Sequence, residues 1–142
     1  RGAARVYAFD SGVGQLHERL RQDPRVILSE RTNARHLGAQ ALPEEPTLAT
    51  MDVSFISALK ILPALRGILA DGADLVSLVK PQFEAGRAEV KKGIIRDEAV
   101  HARVVEEVAA SAAAIGLTRV ADAPSPITGA RGNREFFLHL RP

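Results

Sequence analysis

The sequence predicts an α/β fold with a mostly parallel twisted sheet, and three observations support it. Short apolar segments typical of strands alternate with segments whose apolar residues recur every three or four positions, as on one helix face. Residues 75–79 form an apolar run, interrupted only by a serine, that is typical of a strand buried on both faces. Lys80 and Pro81 follow this run, and a proline ends a strand because it lacks an N–H.

Strands and helices are predicted in alternating order. The strands lie at residues 5–10, 26–29, 47–51, 75–79, 117–121 and 135–140. The helices lie at residues 13–20, 55–69 and 97–115. Only the last two strands lack a helix between them, so we expect parallel strands with helices on both faces and a final strand that inserts antiparallel.

Local signals justify the helices in turn. Apolar residues at helical spacing define the first two, with Val13, Leu16 and Leu20 in one and Phe55, Leu59, Leu62, Leu65 and Leu69 in the other. Ser54 is predicted to cap the second helix, and Pro63 is predicted to kink it. The third helix has an apolar stripe between a predicted cap at Asp97 and Gly116, which suits the position after the last turn.

Composition excludes several classes of site. The 142 residues include no cysteine, so disulfides, thiolate catalysis and cysteine-bound zinc are excluded. The histidines lack the spacing of metal ligands, and we expect His17 and His101 on helix surfaces and His139 in a strand. No apolar run approaches the roughly 20 residues of a membrane-spanning helix, and a cytoplasmic protein is expected. The net charge of +2 permits an anionic partner such as RNA.

Charged residues end several of the predicted strands. Asp10, Glu30, Asp52 and Lys80 directly follow strand segments. They would meet at the carboxyl edge of one sheet, where such sheets bind ligands and where a carboxylate commonly accepts hydrogen bonds from ribose hydroxyls. The alternative is that each residue only caps the following helix.

A loop rich in glycine, lysine and arginine is predicted between residues 83 and 96. Four of its cations suit a surface that binds phosphates, namely Arg87, Lys91, Lys92 and Arg96. An ordinary solvated loop would explain the same charges equally well.

A short glycine motif lies near the start of the chain. Gly12-Val13-Gly14 begins like the fingerprint of a dinucleotide-binding turn, but His17 stands where the third glycine belongs. A nicotinamide-dependent oxidoreductase therefore has little support, although it is retained as an alternative.

Several segments of the chain together resemble a known family. They are VYAFDSGVGQL (6–16), SERTNAR (29–35), MDVSFIS (51–57), VKPQFEAGR (79–87), KKGIIRDEAVH (91–101) and SPITGARGNREFFLHL (125–140). In this order, and over essentially the whole chain, they resemble the TlyA family, which is often labelled haemolysin A and belongs with the FtsJ-like RNA 2′-O-methyltransferases.

The resemblance implies a Rossmann-like methyltransferase domain over residues 1–142. Such a domain binds S-adenosylmethionine and methylates ribose 2′-hydroxyls of cytidines in ribosomal RNA. The implied partner is ribosomal RNA or a ribosomal subunit rather than a membrane, and a homo-oligomer is left open. The resemblance assigns catalysis to Asp52, Lys80 and Glu135. In that scheme Lys80 deprotonates or positions the 2′-hydroxyl, while the two carboxylates orient it and balance charge.

The resemblance also assigns the cofactor site, to Asp10, Asn33, Ala34 and Asp52. The family's glycine-rich cofactor loop, first strand, first catalytic lysine and S4-type RNA-binding domain would precede Arg1. We therefore expect a truncated domain whose sheet lacks its middle strand and which binds S-adenosylmethionine weakly or not at all.

Two further alternatives remain beside the enzyme. The haemolysin label suggests a membrane-active protein, but no predicted helix combines a strongly basic face with a bulky apolar face. A non-catalytic RNA-binding module would use the basic loop alone. Replacing Lys80 separates that module from an enzyme, since binding would survive while methyl transfer would disappear.

Overall fold

The computed structural model describes residues 2–38 and 40–142, and its strands form two separate sheets. The first sheet contains β1 Val6–Phe9 and β2 Val26–Ser29. The second contains β3 Leu48–Met51, β4 Asp74–Val79, β5 Thr118–Pro124 and β6 Phe136–Arg141. The α-helices are α1 Glu18–Arg21, α2 Leu62–Arg66, α3 Pro81–Glu84 and α4 Glu98–Ala114. Short 3₁₀ turns lie at Ala34–His36, Ala58–Lys60 and Ala130–Gly132.

The strand order confirms the predicted mixed sheet. In the second sheet the order is β3-β4-β6-β5, and β3 runs parallel to β4. The last strand, β6, is antiparallel to both of its neighbours. A short connection from β5 to β6 without a helix permits this arrangement, because antiparallel strands need no crossover.

The break between the sheets lies between β1 and β3. Among the described residues, β1 pairs only with β2, in parallel, and β3 pairs only with β4. Side chains link the two parts, because Glu44, just before β3, accepts hydrogen bonds from Arg5 and Tyr7. The break falls where the resemblance predicts an absent strand, and that absence remains a prediction.

The core lies on one face of the second sheet. Its fully buried side chains come from α2, α4, the sheet and the segment before β5, namely Leu62, Val104, Val108, Leu75, Val79, Leu138, Leu140 and Leu117. On the other face of β4, Val76 and Leu78 are only half-buried. The prediction that both faces of this strand are buried is therefore wrong for the described residues, because α2 and α4 contribute to a single core.

The long helix α4 confirms its sequence prediction. Asp97 caps it by accepting a 2.9 Å hydrogen bond from the backbone N–H of Ala99. Gly116 follows the last turn with φ +81°, a left-handed conformation that glycine adopts without strain. The two fully buried valines of its stripe, Val104 and Val108, each contribute about 1.5–3 kcal/mol. No helix within the described ranges, α4 included, is long and apolar enough to cross a membrane.

The first helix is shorter than predicted. It begins only at Glu18, after His17, whose Nδ1 accepts the backbone N–H of Arg19. Gly14 has φ +70° and donates its N–H to Glu30, so residues 13 and 14, predicted in the helix, belong to the bend at residues 11–14. The predicted apolar face is wrong, because Val13 and Leu20 are both exposed.

The predicted helix 55–69 is also wrong in its first half and in its last three residues, because α2 ends at Arg66. Phe55 has φ +63°, which a helix does not allow, and Ser57, instead of Ser54, provides the first cap. A 3₁₀ turn follows, and α2 starts at Leu62. Pro63 lies in the first turn of α2, where a missing N–H breaks no helical hydrogen bond, so it begins the helix and does not kink it.

His101 is buried, contrary to the prediction of a surface position. Its Nε2 donates to the carbonyl of Ile95 at 3.2 Å, and its ring packs against Phe136 at 5.6 Å between centroids. The apolar stripe predicts only apolar residues on this face, and a histidine can share it when its ring N–H finds a carbonyl.

Asp74 is a fastening point between β4 and β6. Its Oδ1 accepts hydrogen bonds from Arg141 Nε and His139 Nε2, each at 2.7 Å. These bonds, with that from Arg141 the larger influence, hold the pKa of Asp74 below its ordinary value. Because the pKa is lower in the folded state, the stabilisation is present above about pH 4, the ordinary aspartate range, and is lost as pH falls through the folded-state pKa.

We expect Asp74→Asn to lower the melting temperature at pH 7 and to flatten its fall below about pH 4. Circular dichroism melts between neutral and acidic pH measure both effects. Asp71→Asn is the matched control, because the Asp71 side chain is almost fully exposed. Parallel curves for wild type and Asp74→Asn would contradict this account.

Candidate active site

Lys80 and Asp52 form an ion pair at the carboxyl ends of the adjacent parallel strands β4 and β3. Lys80 Nζ lies 2.6 Å from Asp52 Oδ1 and donates a 3.0 Å hydrogen bond to Ser54 Oγ. The Lys80 side chain is only 12% exposed, whereas that of Asp52 is 70% exposed. An ammonium has three N–H donors, so one remains available. The pair therefore combines a fixed, largely buried N–H donor on Lys80 with a solvent-accessible carboxylate on Asp52.

Phe55 lies on the loop between this ion pair and the 3₁₀ turn that follows. It is 91% exposed and has φ +63°, which is strained for a residue with a bulky side chain. Its ring contacts Phe83 of α3, with 5.2 Å between the ring centroids. The ring of Phe55 is therefore exposed to solvent, and it offers a face on which a planar ligand can stack.

Glu135 lies apart from the ion pair. It is only 8% exposed, and its Oε1 accepts a 3.3 Å hydrogen bond from Gln82 Nε2. No hydrogen bond or ion pair joins it directly to Lys80 or Asp52 in the described part of the chain. The structure thus brings two of the three predicted catalytic residues together and places the third beside α3, where its partner Gln82 is two residues beyond Lys80.

Gly129 makes room for the Glu135 carboxylate. A Cβ at this position would lie 2.0 Å from Glu135 Oε1 and 2.5 Å from its Cδ. Because real atoms do not approach so closely, any larger residue must displace the carboxylate from Gln82. The glycine therefore fixes where this buried charge lies.

We expect Gly129→Ala to lower the free energy of unfolding by on the order of 1 kcal/mol, through overpacking beside a buried carboxylate. Urea denaturation measures this loss. Gly38→Ala is the matched control, since among the described residues beyond its chain neighbours no atom lies within 4 Å of the added Cβ. Equal unfolding free energies for the two variants would contradict the close approach.

Two of the predicted cofactor residues, Asn33 and Ala34, follow Thr32, whose backbone N–H donates to the carbonyl of Asp10 at the end of β1. Asp10 Oδ1 accepts the backbone N–H of Gly12 at 2.7 Å, and Asn33 Oδ1 caps the turn that begins at half-buried Ala34. No hydrogen bond of the described residues uses Asp10 Oδ2 or Asn33 Nδ2. One acceptor and one donor thus remain for a sugar and a base, which fits a nucleoside group. Within the described ranges, no side-chain hydrogen bond joins Asp10 to Asp52.

Glu30, also predicted at this edge, has a structural role. It accepts hydrogen bonds from Arg21 and from the backbone N–H of Gly14, and Arg21 is the main cause of its lowered pKa. Both partners belong to the segment after β1, so Glu30 fastens that turn. For this residue the simpler alternative, a local cap, describes the structure better. The described ranges also contain no group of three or more His, Asp or Glu side chains that could hold a metal ion.

The four cations of the basic loop are exposed and uncommitted. These cations are Arg87, Lys91, Lys92 and Arg96. Among the described residues, none of their side chains takes part in a hydrogen bond or an ion pair. Three of them line a cavity of about 570 Å³ in front of α4. By contrast, Glu89 in the same loop is paired with Arg103. The loop therefore presents free positive charge on the surface.

Sequence analysis missed Phe55 and Gln82 as site residues. Phe55 fits the helical spacing of Leu59 and Leu62, and that spacing predicts a buried face. The signal that could have distinguished Phe55 from the buried helix face is its position three residues after a strand-ending carboxylate. Gln82 offered no local signal, because its partner lies 53 residues away.

Comparison with known proteins gives a consistent set of relatives. A model of the FtsJ-like methyltransferases matches residues 1–142. The 16S/23S rRNA (cytidine-2′-O)-methyltransferase TlyA of Mycobacterium tuberculosis is 48% identical over 99% of this chain and 53% of its own length. This chain thus spans about half the length of the curated relatives it matches.

Solved structures agree with the sequence relatives. A structure described as "Putative hemolysin from Streptococcus thermophilus" has a TM-score of 0.96 and 47% identity, over 99% of this chain and 51% of that one. A 16S rRNA (adenine(1408)-N(1))-methyltransferase from Catenulisporales acidiphilia with cosubstrate SAM has a TM-score of 0.62 at 16% identity, over 96% of this chain and 74% of that one. The second similarity shows the fold alone, which is Rossmann-like.

Proposed function

Because this chain belongs to the FtsJ-like methyltransferase family, as the resemblance predicted, we propose that it carries the active site of a ribosomal RNA methyltransferase. The proposed reaction is S-adenosylmethionine-dependent methylation of the ribose 2′-hydroxyl of cytidine. The observation that carries this proposal is the Lys80–Asp52 ion pair beside exposed Phe55, at the carboxyl ends of parallel strands. The mycobacterial relative is named a (cytidine-2′-O)-methyltransferase, which supports the choice of cytidine.

The residues of the site suit methyl transfer by positioning. S-adenosylmethionine, when bound, supplies a methyl group on a positively charged sulfur. In the proposed reaction the ribose 2′ oxygen forms a bond to the methyl carbon while the carbon–sulfur bond breaks and its electron pair stays on the sulfur. Lys80 donates its remaining N–H to that oxygen, and the accessible oxygen of Asp52 accepts the hydroxyl hydrogen bond and then the proton that the oxygen loses. Glu135, which Gln82 holds apart from the ion pair, is the third residue that the resemblance assigns to this reaction, and it would contribute through its charge. Such fixed donors and charges act mainly by orientation and electrostatics.

The cofactor residues are proposed from the groups they leave free. Asp10 Oδ2 would accept a ribose hydroxyl, while Asn33 and Ala34 would lie against the adenine, and Asp52 would border both substrates. Calorimetric titration of S-adenosylmethionine into the full-length protein tests this, with Asp10→Asn as the variant expected to weaken binding. Unchanged affinity in Asp10→Asn would remove Asp10 from the cofactor site.

The basic loop is proposed to bind RNA phosphates. Its cations have no partners among the described residues, and displaced counterions make phosphate binding dependent on salt. The implied partner is ribosomal RNA or a ribosomal subunit, and an enzyme with that substrate works in the cytoplasm, where ribosomes are.

The logarithm of the RNA association constant falls as the logarithm of the salt concentration rises. We expect the double variant Lys91→Ala/Lys92→Ala to make this negative slope shallower by about 0.7 for each phosphate that the variant no longer neutralises. Fluorescence anisotropy with a single-stranded, cytidine-containing RNA measures the slope at several salt concentrations. Arg19→Ala, which removes an exposed cation on α1, is the matched control. An unchanged slope in the double variant would place the RNA on another surface.

The proposed function is tested by transfer of radiolabelled methyl from S-adenosylmethionine to ribosomal subunits and to protein-free ribosomal RNA. Nuclease digestion and mass spectrometry then identify the modified nucleoside. We expect 2′-O-methylcytidine as the product. Label on a base, or no transfer to any RNA by the full-length protein, would overturn the proposal.

A further inference from the structure

The single-turn helix α3 follows Lys80 directly, and its last residue reaches back to the loop before it. Glu84 Oε1 accepts the backbone N–H of Ala58 at 2.7 Å, and Glu84 Oε2 accepts the hydroxyl of Ser57 at 2.6 Å. These partners lie 26 and 27 residues away in sequence. Hydrogen bonds to an ionised carboxylate are short and stronger than those between neutral groups.

Glu84 has no cation as a partner among residues 2–38 and 40–142. Its side-chain hydrogen bonds go to Ser57, the last residue of the loop of residues 52–57, and to Ala58, the residue after it. The Glu84 side chain is half-buried. The exposed carboxylate of Glu107 behaves differently, because it pairs with Arg103 one turn away on α4. The contact of Glu84 therefore organises a loop instead of balancing a charge.

The loop of residues 52–57 needs such support. It holds Phe55 in a left-handed conformation, which costs about 1–2 kcal/mol for a residue with a side chain. Strained conformations persist only when their surroundings hold them. At one end Lys80 binds Asp52 and Ser54, and at the other end Glu84 binds Ser57 and Ala58. Between these two anchors Phe55 stands in solvent.

We propose that Glu84 is a positioning residue that holds the loop of residues 52–57 so that Asp52 and Phe55 face the reacting ribose. This inference rests on the proposed methyl transfer for its effect on rate. Its structural part, the anchoring of the loop, stands independently of that reaction. Both oxygens of the Glu84 carboxylate are engaged by Ser57 and Ala58, so Glu84 would act through the loop.

The test compares the full-length wild type with Glu84→Ala and Glu84→Gln by amide hydrogen exchange and by methyl-transfer kinetics. In Glu84→Ala we expect faster exchange in peptides covering residues 55–60, unchanged exchange in α4, and a kcat about 10-fold lower through loss of orientation. Glu84→Gln keeps an acceptor for the Ala58 N–H and has a donor towards Ser57. We therefore expect its hydrogen exchange at residues 55–60 and its kcat to be close to those of wild type. Glu107→Ala is the control for loss of a carboxylate.

The outcomes separate the two ideas. Unchanged exchange at residues 55–60 in Glu84→Ala overturns the proposal, as does faster exchange with kcat within twofold of an active wild type. If wild type transfers no methyl group, the proposed function fails. In that case, faster exchange in Glu84→Ala still supports the anchoring of the loop, and unchanged exchange still overturns it.

Discussion

Replacing Lys80 by alanine is expected to lower the rate of methyl transfer about 100- to 1000-fold, the usual effect of removing one preorganised donor from a reacting oxygen. The side chain is fixed by Asp52 and Ser54, so it needs no reorganisation when the substrate arrives. RNA binding is expected to survive, because the four cations of the basic loop are untouched.

Stability should change little in Lys80→Ala. The variant leaves Asp52 without its partner, but that carboxylate is 70% exposed and water can solvate it. Asp52→Ala is expected to be the more destabilising change, because it leaves a 12% exposed ammonium unpaired.

Single-turnover methyl transfer, RNA anisotropy and thermal melts together measure these effects in the full-length protein. Lys60→Ala, which removes an exposed lysine from the turn before α2, is the control for loss of a lysine. If Lys80→Ala lost RNA binding in parallel with activity, Lys80 would belong to the RNA-binding surface and not to the reaction. Full activity in Lys80→Ala would favour a non-catalytic RNA-binding module.

Replacing Phe55 by alanine is the second change with a large expected effect, a loss of about 5- to 150-fold in methyl transfer. This range corresponds to the roughly 1–3 kcal/mol by which an aromatic side chain stabilises a stacked base. A cytidine must leave its neighbours before its ribose can approach Lys80, and an exposed ring at this point can receive the unstacked base. Phe55→Tyr should retain most of the activity.

Stability again separates a functional role from a structural one. Phe55 is 91% exposed and strained, so Phe55→Ala should leave the melting temperature within the error of wild type. Val120→Ala on β5 controls for loss of an exposed apolar side chain. A drop in melting temperature, or wild-type kinetics in Phe55→Ala, would contradict the stacking role.

Local sequence signals predicted α4 and β2 well. The cap at Asp97, the apolar stripe and Gly116 all act within a few residues, and the structure uses each of them. The strand predicted at residues 26–29 coincides with β2. The same reasoning failed for residues 55–60, because helical spacing alone cannot show that φ at Phe55 is positive.

Half of the candidate site followed from strand ends. Lys80 and Asp52 each directly follow a strand whose carboxyl end lies at the same edge of the sheet, and this predicts that they meet. In the structure Lys80 Nζ lies 2.6 Å from Asp52 Oδ1. Glu135 follows the loop after β5, whose path no local pattern fixes. Its contact with Gln82 depends on how β6 inserts beside β4 and on the space left by Gly129.

The sequence by itself determined the α/β class, the long helix, the family and the ion pair at the strand ends. These depend on short-range spacing and on residues that the topology places together. Only the tertiary structure decided that Phe55 stands in solvent, that His101 is buried and that Glu84 anchors the loop of residues 52–57. Each of these depends on contacts or backbone angles set by the packing of distant segments, which residue types along the chain do not encode locally.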